Sequence, residues 1–495
     1  MNYSGKFFLV LGFGKTGQSI VKWLSNRNVK IRVADSRKNI NFPNFKKKFS
    51  LIEFLRGKFS LDLLNGIDII FVSPGLSPKN DLQELLPEIK KRKIPILSDI
   101  ELFSLALKEL TDKNNYKPKI IAITGTNGKT TVTSLTSFLC KRSGFSVKEA
   151  GNIGSSVLDV LIDSIEKNDL PDIWVLELSS FQLYSTSSLS ANAATVLNIS
   201  EDHLDWHENM SDYVLSKSKI FSKGTLQVLN RDDKNSIKMA LNNETILTFG
   251  LNNPSKEGCF GIIQENNIEW ITRAVLNESI ETNSYLKLKN KNYLYMNKLI
   301  PSDILKIKGK HNLCNVMASF ALCSAIGIEL DKLLYAVSEY EGEPHRFSFV
   351  NKINDVEFFD DGKGTNTGAT IAAIDALSKF EKKIILILGG DSKGQNFNLL
   401  NKYIKKYVKH IILIGVDALK IEHSLKKCRV ELNKCFSLRE AVKKSLEVSM
   451  KGDKVLFSPA CASFDMFSDY KERSQVFINE VNKLEKNSTS VNYEI

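Results

Sequence analysis

The clearest chemical pattern in the sequence lies within Ile121–Thr131, which reads IAITGTNGKTT. An apolar run leads into a glycine turn, and the turn places Lys129 and Thr130 at the start of a predicted helix. Backbone N–H groups of Gly125–Lys129 suit phosphate, the lysine adds a charge, and the threonine hydroxyl can hold Mg²⁺. Ile123 stands where the common P-loop has its first glycine. We therefore interpret the segment as a shorter phosphate loop, unlike that of GTPases and motor ATPases; a plain turn with a surface lysine is the alternative.

A second glycine motif, GFGKTG, spans Gly12–Gly17 and matches G-x-G-x-x-G. Asp35 lies 18 residues after Gly17, at the end of the next predicted strand. This spacing is typical of a dinucleotide site in which the carboxylate binds a ribose hydroxyl. The same geometry suits any diphosphate-linked nucleoside, and a glycine turn needed only for packing is the remaining alternative.

Carboxylates and one histidine follow two predicted strands near the phosphate loop. Glu177 closes the strand in LELSSF, where it would meet Mg²⁺ and the γ-phosphate, and His203 lies in the acidic cluster EDHLD. Oxygen ligands dominate this set, which favours Mg²⁺ or Mn²⁺ over structural zinc. A surface or capping role is the alternative for His203, and we interpret His207 as a loop residue only.

Three polar clusters lie in the last third of the chain. One lies at a predicted domain junction, and the other two follow predicted strands. Arg346 in PHRF either reaches phosphates or forms a simple salt bridge. DDGKGTN and SPACAS end strands and present Lys363, Thr365 and small polar groups that could grip a carboxylate. Cys461 has no evident partner base, so we interpret it as a buried structural thiol and not as a nucleophile.

Short apolar runs alternate with helical stretches along the chain, which predicts an α/β protein with parallel sheets. The length favours three domains, which we place at residues 1–112, 113–342 and 343–495. The first and third are predicted to be Rossmann-like, and the central one to be a P-loop ATPase-type domain with a parallel sheet and flanking strands within 224–310. We expect a linker at 111–119 and a frayed tail at 485–495.

Bulk composition excludes several classes of protein. Hydrophobic residues make up 42% and charged residues 25% of the 495, as in globular proteins. The net charge is +12, but the lysines are scattered, so we expect no nucleic-acid partner. Seven cysteines without a C-x-x-C pair indicate reduced thiols in the cytoplasm. No apolar run is long enough to predict a membrane span, and the N-terminal run is interpreted as a strand, not a signal peptide.

These residues leave three functions open. One is an ATP-dependent ligase with three substrates, and another is a sensor that binds a nucleotide and switches on ATP. The third is an NAD-dependent oxidoreductase with an added ATPase. The predicted metal set beside the phosphate loop argues for chemistry, and no constellation for hydride transfer is visible.

The sequence resembles the Mur ligase family over nearly its whole length. The motifs that carry the resemblance occur in order: GFGKTG, SPGLSP, SDIELF, ITGTNGKTT, GNIG, LELSSFQL, NISEDHLD, YVLSKSKIF, KGKHNLCN, PHRF, DDGKGTN, LGGDSKG and SPACASFDMF. The glycine-rich first domain, DDGKGTN and SPACAS favour the D-glutamate-adding branch. The DDYGHHP-like and DNPR-like motifs of other branches are absent from the sequence.

The resemblance implies roles for individual residues. Contacts with ATP are implied for Gly125, Thr126, Asn127, Gly128, Lys129, Thr130, Thr131, Asn312 and Arg346. Contacts with the UDP-linked substrate are implied for Gly14, Thr16, Asp35, Ser36, Ser73, Gly75 and Asn152. D-Glutamate would bind at Lys363, Thr365, Lys393, Ser463 and Tyr470. Metal would bind at Thr130, Glu177, His203 and a carbamylated Lys217. The implied catalytic residues are Lys129, Lys217, His203, Glu177 and Arg346.

The implied activity is ATP-dependent addition of D-glutamate to UDP-N-acetylmuramoyl-L-alanine in peptidoglycan precursor synthesis, with two Mg²⁺ ions, or Mn²⁺, and a monomeric cytoplasmic protein. From its position alone, Lys217 would be interpreted as a solvated helix lysine. Two departures from the family pattern stand out. The usual D-S-K-A-T-N is replaced by DGKGTN, with Gly362 and Gly364, and a common phenylalanine is Tyr470.

Overall fold

The structure is a computed structural model that describes residues 3–27, 29–40, 52–276, 294–378 and 383–491. Its contacts divide the chain into two compact units. The first unit comprises Met1–Ile199, His203–Leu305 and Cys314–Tyr340, and the second comprises Ser200–Asp202, Lys306–Leu313 and Glu341–Ile495.

The first unit begins with a parallel sheet. Its elements are β1 (Phe7–Leu11), α1 (Lys15–Ser25), β2 (Lys30–Asp35), β3 (Ile52–Arg56), β4 (Ile69–Val72), α2 (Leu86–Arg92), β5 (Ile96–Leu97) and α3 (Asp99–Asn114). The strand order is β3-β2-β1-β4-β5, and all pairs are parallel. The turns after β1, β2 and β4 therefore meet at one edge, where ligands bind in such sheets.

A second parallel sheet follows in the same unit. Its elements are β6 (Lys119–Thr124), α4 (Lys129–Arg142), β7 (Val147–Gly151), α5 (Val157–Glu166), β8 (Ile173–Glu177), α6 (Ser180–Tyr184), β9 (Ala193–Val196), α7 (Met210–Ser218), β10 (Leu226–Asn230), α8 (Lys234–Lys238) and β11 (Ile246–Phe249). The order β11-β10-β9-β6-β8-β7 places β6 between β9 and β8. The segments that follow these three strands are therefore neighbours.

A small antiparallel sheet and two helices come next. They are β12 (Phe260–Glu265), β13 (Ile268–Leu276), β14 (Leu294–Pro301), α9 (Lys310–Ala325) and α10 (Leu330–Glu339). These strands are the predicted flanking strands, although β10 and β11, which also fall within 224–310, belong to the parallel sheet instead.

The second unit holds a fourth sheet. Its elements are β15 (Ser348–Ile353), β16 (Val356–Asp360), α11 (Thr367–Ala376), β17 (Ile384–Gly389), α12 (Asn401–Tyr407), β18 (Val408–Ile414), α13 (Ala418–Leu425), β19 (Glu431–Lys434), α14 (Leu438–Glu447), β20 (Lys454–Phe457) and α15 (Tyr470–Val491). The order is β15-β16-β20-β17-β18-β19, with only the β15–β16 pair antiparallel among the pairs described. The predicted α/β class with parallel sheets is confirmed.

Two local predictions are wrong. Residues 111–114 of the predicted linker form the last turn of α3, and Tyr116 is fastened: its hydroxyl donates to the Pro171 carbonyl (2.6 Å) and accepts from Trp174 Nε1 (2.9 Å). The predicted frayed tail is helical as far as Val491, and the last four residues lie outside the described ranges. The domain boundaries after residues 112 and 342 stay predictions.

Within the described ranges, no helix is both long and apolar enough to cross a membrane. All seven cysteines lie in these ranges and are free thiols. Cys461 is fully buried and burial raises the pKa of its thiol, as expected of a structural cysteine.

Candidate active site

The phosphate loop joins β6 to α4, and glycine is required where the helix begins. Gly128 is the residue before the first helical turn and has φ of 87°, in the left-handed region. A Cβ at this position would lie 2.8 Å from Asn315 Oδ1. Both the conformation and the space therefore exclude a side chain, and the N–H groups of the first turn remain exposed to a ligand.

Asn198, which follows β9, holds the loop from one side. Its backbone carbonyl accepts from the Thr126 N–H (2.8 Å), and its side-chain oxygen accepts from the Asn127 N–H (2.8 Å). Its amide nitrogen donates back to the Asn127 carbonyl (3.0 Å). Sequence reasoning missed Asn198, although a polar residue directly after a neighbouring strand was the available signal. These three bonds fix the loop before any ligand binds.

Two lysine ammonium groups converge on one carbonyl of this loop. Lys129 Nζ donates to the carbonyls of Gly125 (3.0 Å) and Thr126 (2.9 Å). Lys217 Nζ donates to the same Gly125 carbonyl (2.9 Å) and to Thr124 Oγ1 (3.2 Å). The arrangement concentrates positive charge where phosphates would bind.

Lys217 is only 2% exposed, so its interpretation as a solvated helix lysine is wrong. It lies on the buried face of α7 together with Tyr213, and its ammonium is 4.8 Å from the centre of that ring. The helix turns this face toward β6, which the sequence pattern of α7 alone does not reveal.

Glu177 ends β8, which pairs with β6 and places Glu177 opposite Ile123, just before the loop. It is 2% exposed, and its Oε1 accepts from Asn152 Nδ2 (2.9 Å). Its Oε2 is buried and has no hydrogen-bond partner among the described residues. A buried carboxylate oxygen in this position fits a cation, which would supply the missing partner.

The other residues predicted to bind metal are more exposed. Thr130, in the first turn of α4, and His203 are both half-buried. No cluster of three or more histidine, cysteine or acidic side chains placed to hold a metal occurs in the described part of the chain. A cation there would therefore depend on Glu177 together with the Thr130 hydroxyl, the His203 imidazole and oxygens of a bound nucleotide.

His203 sits at the head of a tight turn. Its φ is 57°, and its carbonyl accepts from the N–H groups of Trp206 (3.1 Å) and His207 (3.0 Å). Its ring meets Phe181 edge-on, with 4.8 Å between the ring centres. The position of this imidazole is therefore set by the turn below it.

His207 lies in the loop, as predicted, and it fastens that turn to the two helices beside it. It is fully buried, with Nδ1 2.8 Å from Asp212 Oδ2 and Nε2 2.9 Å from Ser180 Oγ. Burial lowers the pKa of His207, although Asp212 acts to raise it. The ring connects the start of α6 with the start of α7.

Trp206 fastens the same turn to the first sheet. Its indole Nε1 donates to the Pro74 carbonyl (3.1 Å), and its own carbonyl accepts from Ser77 Oγ (3.1 Å). Its ring stacks on Phe181 at 4.6 Å. The turn that carries His203 is thus attached to the SPGLSP segment after β4.

A cleft of about 440 Å³ opens at the carboxyl ends of the first sheet. Every residue predicted for the UDP-linked substrate lines it, namely Gly14, Thr16, Asp35, Ser36, Ser73, Gly75 and Asn152. Arg37 and Gln182 also line the cleft and were missed. The structure therefore gathers the seven residues in one place, and their contacts with substrate stay a prediction.

Asp35 is 2% exposed and already paired. Its Oδ2 accepts from the Phe13 N–H (2.7 Å), and Oδ1 accepts from Arg37 Nε (2.9 Å). Burial acts to raise its pKa, but the bonds from Arg37 and Phe13 outweigh it and lower the pKa overall. A ligand bound to this carboxylate would share it with the Arg37 guanidinium. The sequence Asp35-Ser36-Arg37 was the available signal for this ion pair.

Three loops of the second unit meet at the ends of β16, β20 and β17. The Ala460 N–H donates to the Gly364 carbonyl (2.8 Å), and Ala462 N–H donates to the Asp391 carbonyl (2.9 Å). Gln395 Nε2 donates to the Thr365 carbonyl (3.1 Å). The loops that carry Lys363, Thr365, Lys393 and Ser463 are thereby linked to one another.

The residues predicted to bind D-glutamate differ in their surroundings. Lys363 Nζ lies 3.7 Å from the ring centre of Tyr470, a cation–π contact. Ser463 is buried, whereas Lys393 is exposed and has φ of 47°. Tyr470 at this place supplies the aromatic face that the usual phenylalanine would.

Two residues predicted to contact ATP belong to the second unit. Asn312 is buried, and its amide donates to the Lys308 carbonyl (2.9 Å). Arg346 is half-buried and its charge acts to lower the pKa of Asp361. Burial nevertheless raises that pKa to about 7, while Ser458 Oγ donates to the carboxylate (2.7 Å).

Comparison with family models matches three consecutive domains of one family. The MurD-like N-terminal domain of Mur ligases matches residues 6–98, the Mur ligase middle domain matches 123–323, and the Mur ligase glutamate ligase domain matches 345–461.

Curated relatives match along almost the whole chain. The UDP-N-acetylmuramoylalanine–D-glutamate ligase of Ralstonia nicotianae is 42% identical over 479 residues, 95% of each chain. The ligase of the same name from Cupriavidus pinatubonensis is 43% identical over 488 residues, 96% of each chain.

Solved structures share the fold at low sequence identity. The MurF ligase of Thermotoga maritima in complex with ADP gives a TM-score of 0.58 at 18% identity, covering 97% of both chains. The UDP-N-acetylmuramate-alanine ligase MurC of Thermotoga maritima gives 0.54 at 18% identity, covering 97% of this chain and 99% of that one. With full-length relatives above 40% identity and three matching domains in order, the chain belongs to the Mur ligase family.

Proposed function

We propose that this chain is an ATP-dependent ligase that joins D-glutamate to UDP-N-acetylmuramoyl-L-alanine and releases ADP and phosphate, a step of peptidoglycan precursor synthesis. Asn152 carries the proposal, because it belongs to both candidate sites. Asn152 lines the substrate cleft. Its side-chain amide also donates to Glu177 Oε1, beside the phosphate loop (2.9 Å). A substrate held in the cleft would reach toward the γ-phosphate at this residue.

The chemistry needs ATP because a carboxylate is a poor electrophile for an amine. A carboxylate oxygen of the UDP-linked substrate attacks the γ-phosphorus, and ADP leaves. The amine of D-glutamate then attacks the carbonyl carbon of the acyl phosphate, and the tetrahedral intermediate expels inorganic phosphate as the nitrogen loses a proton. Both steps crowd negative charge, so positioned cations supply most of the catalysis.

The loop residues provide that charge. Lys129 would leave its carbonyl partners to meet the β- and γ-phosphates, while the N–H groups of Gly125–Lys129 hold phosphate oxygens. The bonds from Asn198 keep the loop in place as this happens. Asn152 orients the substrate and Glu177 together.

Two Mg²⁺ ions, or Mn²⁺, fit the residues beside the loop. We assign Thr130, Glu177 and His203 as ligands, together with Lys217 as a carbamate. When bound, the metal would neutralise the phosphate oxygens and polarise the γ-phosphoryl group. Carbamylation would turn the buried Lys217 from a cation that donates to Gly125 into an anion that can bind metal.

The second unit would hold the amine. We assign Lys363, Thr365, Lys393, Ser463 and Tyr470 to D-glutamate, and Asn312 and Arg346 to ATP. Two acidic groups on the amino acid suit the lysines and the polar loop edges of this unit. We expect the protein to work as a monomer in the cytoplasm, without a nucleic-acid partner.

Phosphate release across a substrate panel tests the proposal. Purified protein with ATP, Mg²⁺ and UDP-N-acetylmuramoyl-L-alanine is given D-glutamate, L-glutamate, L-alanine or no amino acid, and products are identified by mass spectrometry. We expect stoichiometric phosphate and amide product with D-glutamate only. Equal release with L-alanine, or none with D-glutamate, would refute the substrate assignment, and ATP binding without an amide product would favour a nucleotide sensor.

A further inference from the structure

Gly362 is one of the two glycines by which DGKGTN departs from the family pattern, and a neighbouring side chain, not its backbone angles, requires glycine there. It is buried, and its φ is not in the left-handed region. A Cβ at this position would lie 1.9 Å from Ser474 Oγ and 3.0 Å from Asp360 Oδ1. The serine hydroxyl therefore occupies the space that a side chain at position 362 would need.

Ser474 also does what a hydroxyl at position 362 could do. Its Oγ lies 3.1 Å from Asp360 Oδ1, to which it donates, and both residues are fully buried. The same carboxylate accepts from the Gly362 N–H at Oδ1 (2.9 Å) and meets His345 Nδ1 at Oδ2 (2.8 Å). A buried carboxylate needs such donors, because an oxygen without one is costly.

This network leads directly to the loop that carries Lys363. The Gly362 carbonyl accepts from Arg473 Nη2 (3.1 Å), and the Lys363 N–H donates to the His345 carbonyl (3.2 Å). The start of α15, which contains Arg473 and Ser474, thus holds the Gly362 carbonyl and the Asp360 carboxylate, while His345 holds the Lys363 N–H.

We propose that Ser474 is a positioning residue for the amino-acid site: it supplies, from α15, the hydroxyl that the loop lacks at Gly362, and so holds Lys363 in place. The inference rests on the proposed function, in which this loop binds D-glutamate. Positions 362 and 474 then form one unit, in which a hydroxyl on either residue serves and hydroxyls on both do not fit.

A double-mutant cycle tests this. Gly362→Ser, Ser474→Gly and the combined variant are compared with wild type for the KM of D-glutamate, the KM of the UDP-linked substrate and the thermal midpoint. We expect each single change to raise the KM for D-glutamate by about tenfold, from a clash in one case and a lost hydrogen bond in the other. The combined variant should return to within about threefold of wild type, with the KM of the UDP-linked substrate unchanged throughout.

Ser424→Ala is the matched control, since this serine lies in α13 of the same unit and donates only locally, to the Lys420 carbonyl. It should leave every value unchanged. The inference is overturned if Gly362→Ser behaves as wild type, or if the combined variant is no better than the worse single change. Should a single variant fold poorly, recovery of the thermal midpoint in the combined variant still measures the coupling. A wild-type protein that ignores D-glutamate would contradict the proposed function alone, and the thermal coupling would still report on the pair.

Discussion

The first unit contains two glycine turns that look alike in sequence and differ in charge. Each turn follows an interior strand of a parallel sheet and opens a helix, one between β1 and α1 and the other between β6 and α4. Both therefore present backbone N–H groups to a ligand at the carboxyl edge of a sheet.

Their charged neighbours are opposite in sign. Beside the first turn, the buried group is the Asp35 carboxylate, which Arg37 and a backbone N–H hold in the ionised form. Beneath the second turn, the ammonium groups of Lys129 and Lys217 meet at the Gly125 carbonyl. The first turn thus suits a nucleoside whose base or ribose donates to a carboxylate, and the second suits a triphosphate that needs cations.

Glycine spacing in these two turns indicates phosphate binding. The neighbouring charged side chains decide which phosphate group is bound and whether it is transferred. Variants of those neighbours should therefore separate the two turns: changes at the second should affect turnover, and changes at the first should affect substrate binding.

Lys129→Ala should have the largest effect. Loss of this charge from the phosphate loop is expected to lower kcat by about 10³-fold, with the thermal midpoint within a few degrees of wild type. Lys141→Ala in the same helix is the control, since this lysine pairs with Glu149 at the surface and should change kcat less than twofold. A kcat for Lys129→Ala within threefold of wild type would contradict the assignment of Lys129 to the ATP phosphates.

Lys217→Ala should lower kcat by about 10²-fold, because the buried position would lose its proposed metal-binding carbamate. Acetate or propionate should restore part of this activity by placing a carboxylate in the vacated space. Lys223→Ala, an exposed lysine just after α7, should be unaffected by either treatment. Loss of activity without rescue would argue for a purely structural ammonium at Lys217.

Asp35→Asn should affect binding and not chemistry. We expect the KM of the UDP-linked substrate to rise by about tenfold, with kcat and the KM of ATP nearly unchanged, since one charge-assisted contact is lost and Arg37 is released. Steady-state kinetics with each substrate varied in turn provide the measurement. A fall in kcat with an unchanged KM would show that the two turns are not separable in this way.

Asp99→Asn should have the smallest effect on turnover and a distinct effect on stability. Asp99 supports the first cleft, because Gln182, which lines that cleft, donates to its Oδ2 (3.1 Å). Burial raises the pKa of Asp99 from 3.8 to about 6, although the Gln182 bond acts to lower it. The folded state therefore holds a proton that the unfolded state has lost between these two pH values, so stability falls as pH rises through this window.

The asparagine variant lacks this titration. Its thermal midpoint should match wild type near pH 4 and exceed it by about 2–4 °C at pH 7, with activity changed less than threefold. Thermal unfolding in buffers from pH 4 to pH 7 makes the comparison. A difference between the two proteins that does not vary with pH would show that Asp99 titrates normally.

The strands were largely predictable from the sequence, because buried parallel strands are short apolar runs that end in glycine or polar clusters. The N-terminal run forms β1, and β2 and β8 end at Asp35 and Glu177 as predicted. The glycine turns were predictable for the same reason, since their spacing is local to the chain.

What the sequence hid depends on which face of an element packs inward. Lys217 looks solvated along the chain, yet it is buried where α7 packs beside β6. His207 lies in a loop, yet it is buried between the starts of α6 and α7. Asn198 holds the phosphate loop through contacts made across strands, and Ser474 reaches Gly362 from a helix more than a hundred residues away. Such contacts follow from the tertiary arrangement and leave no periodic pattern in the sequence.

Oxygen transfer tests most directly the claim that the two turns serve one acyl-phosphate reaction. UDP-N-acetylmuramoyl-L-alanine carrying ¹⁸O in its terminal carboxylate is turned over with ATP and D-glutamate, and the released phosphate is analysed by mass spectrometry. We predict one ¹⁸O atom in each phosphate, since the carboxylate oxygen that attacks ATP leaves with the phosphoryl group. Phosphate without the label would contradict the account, because water, and not the substrate carboxylate, would then have attacked the γ-phosphorus of ATP.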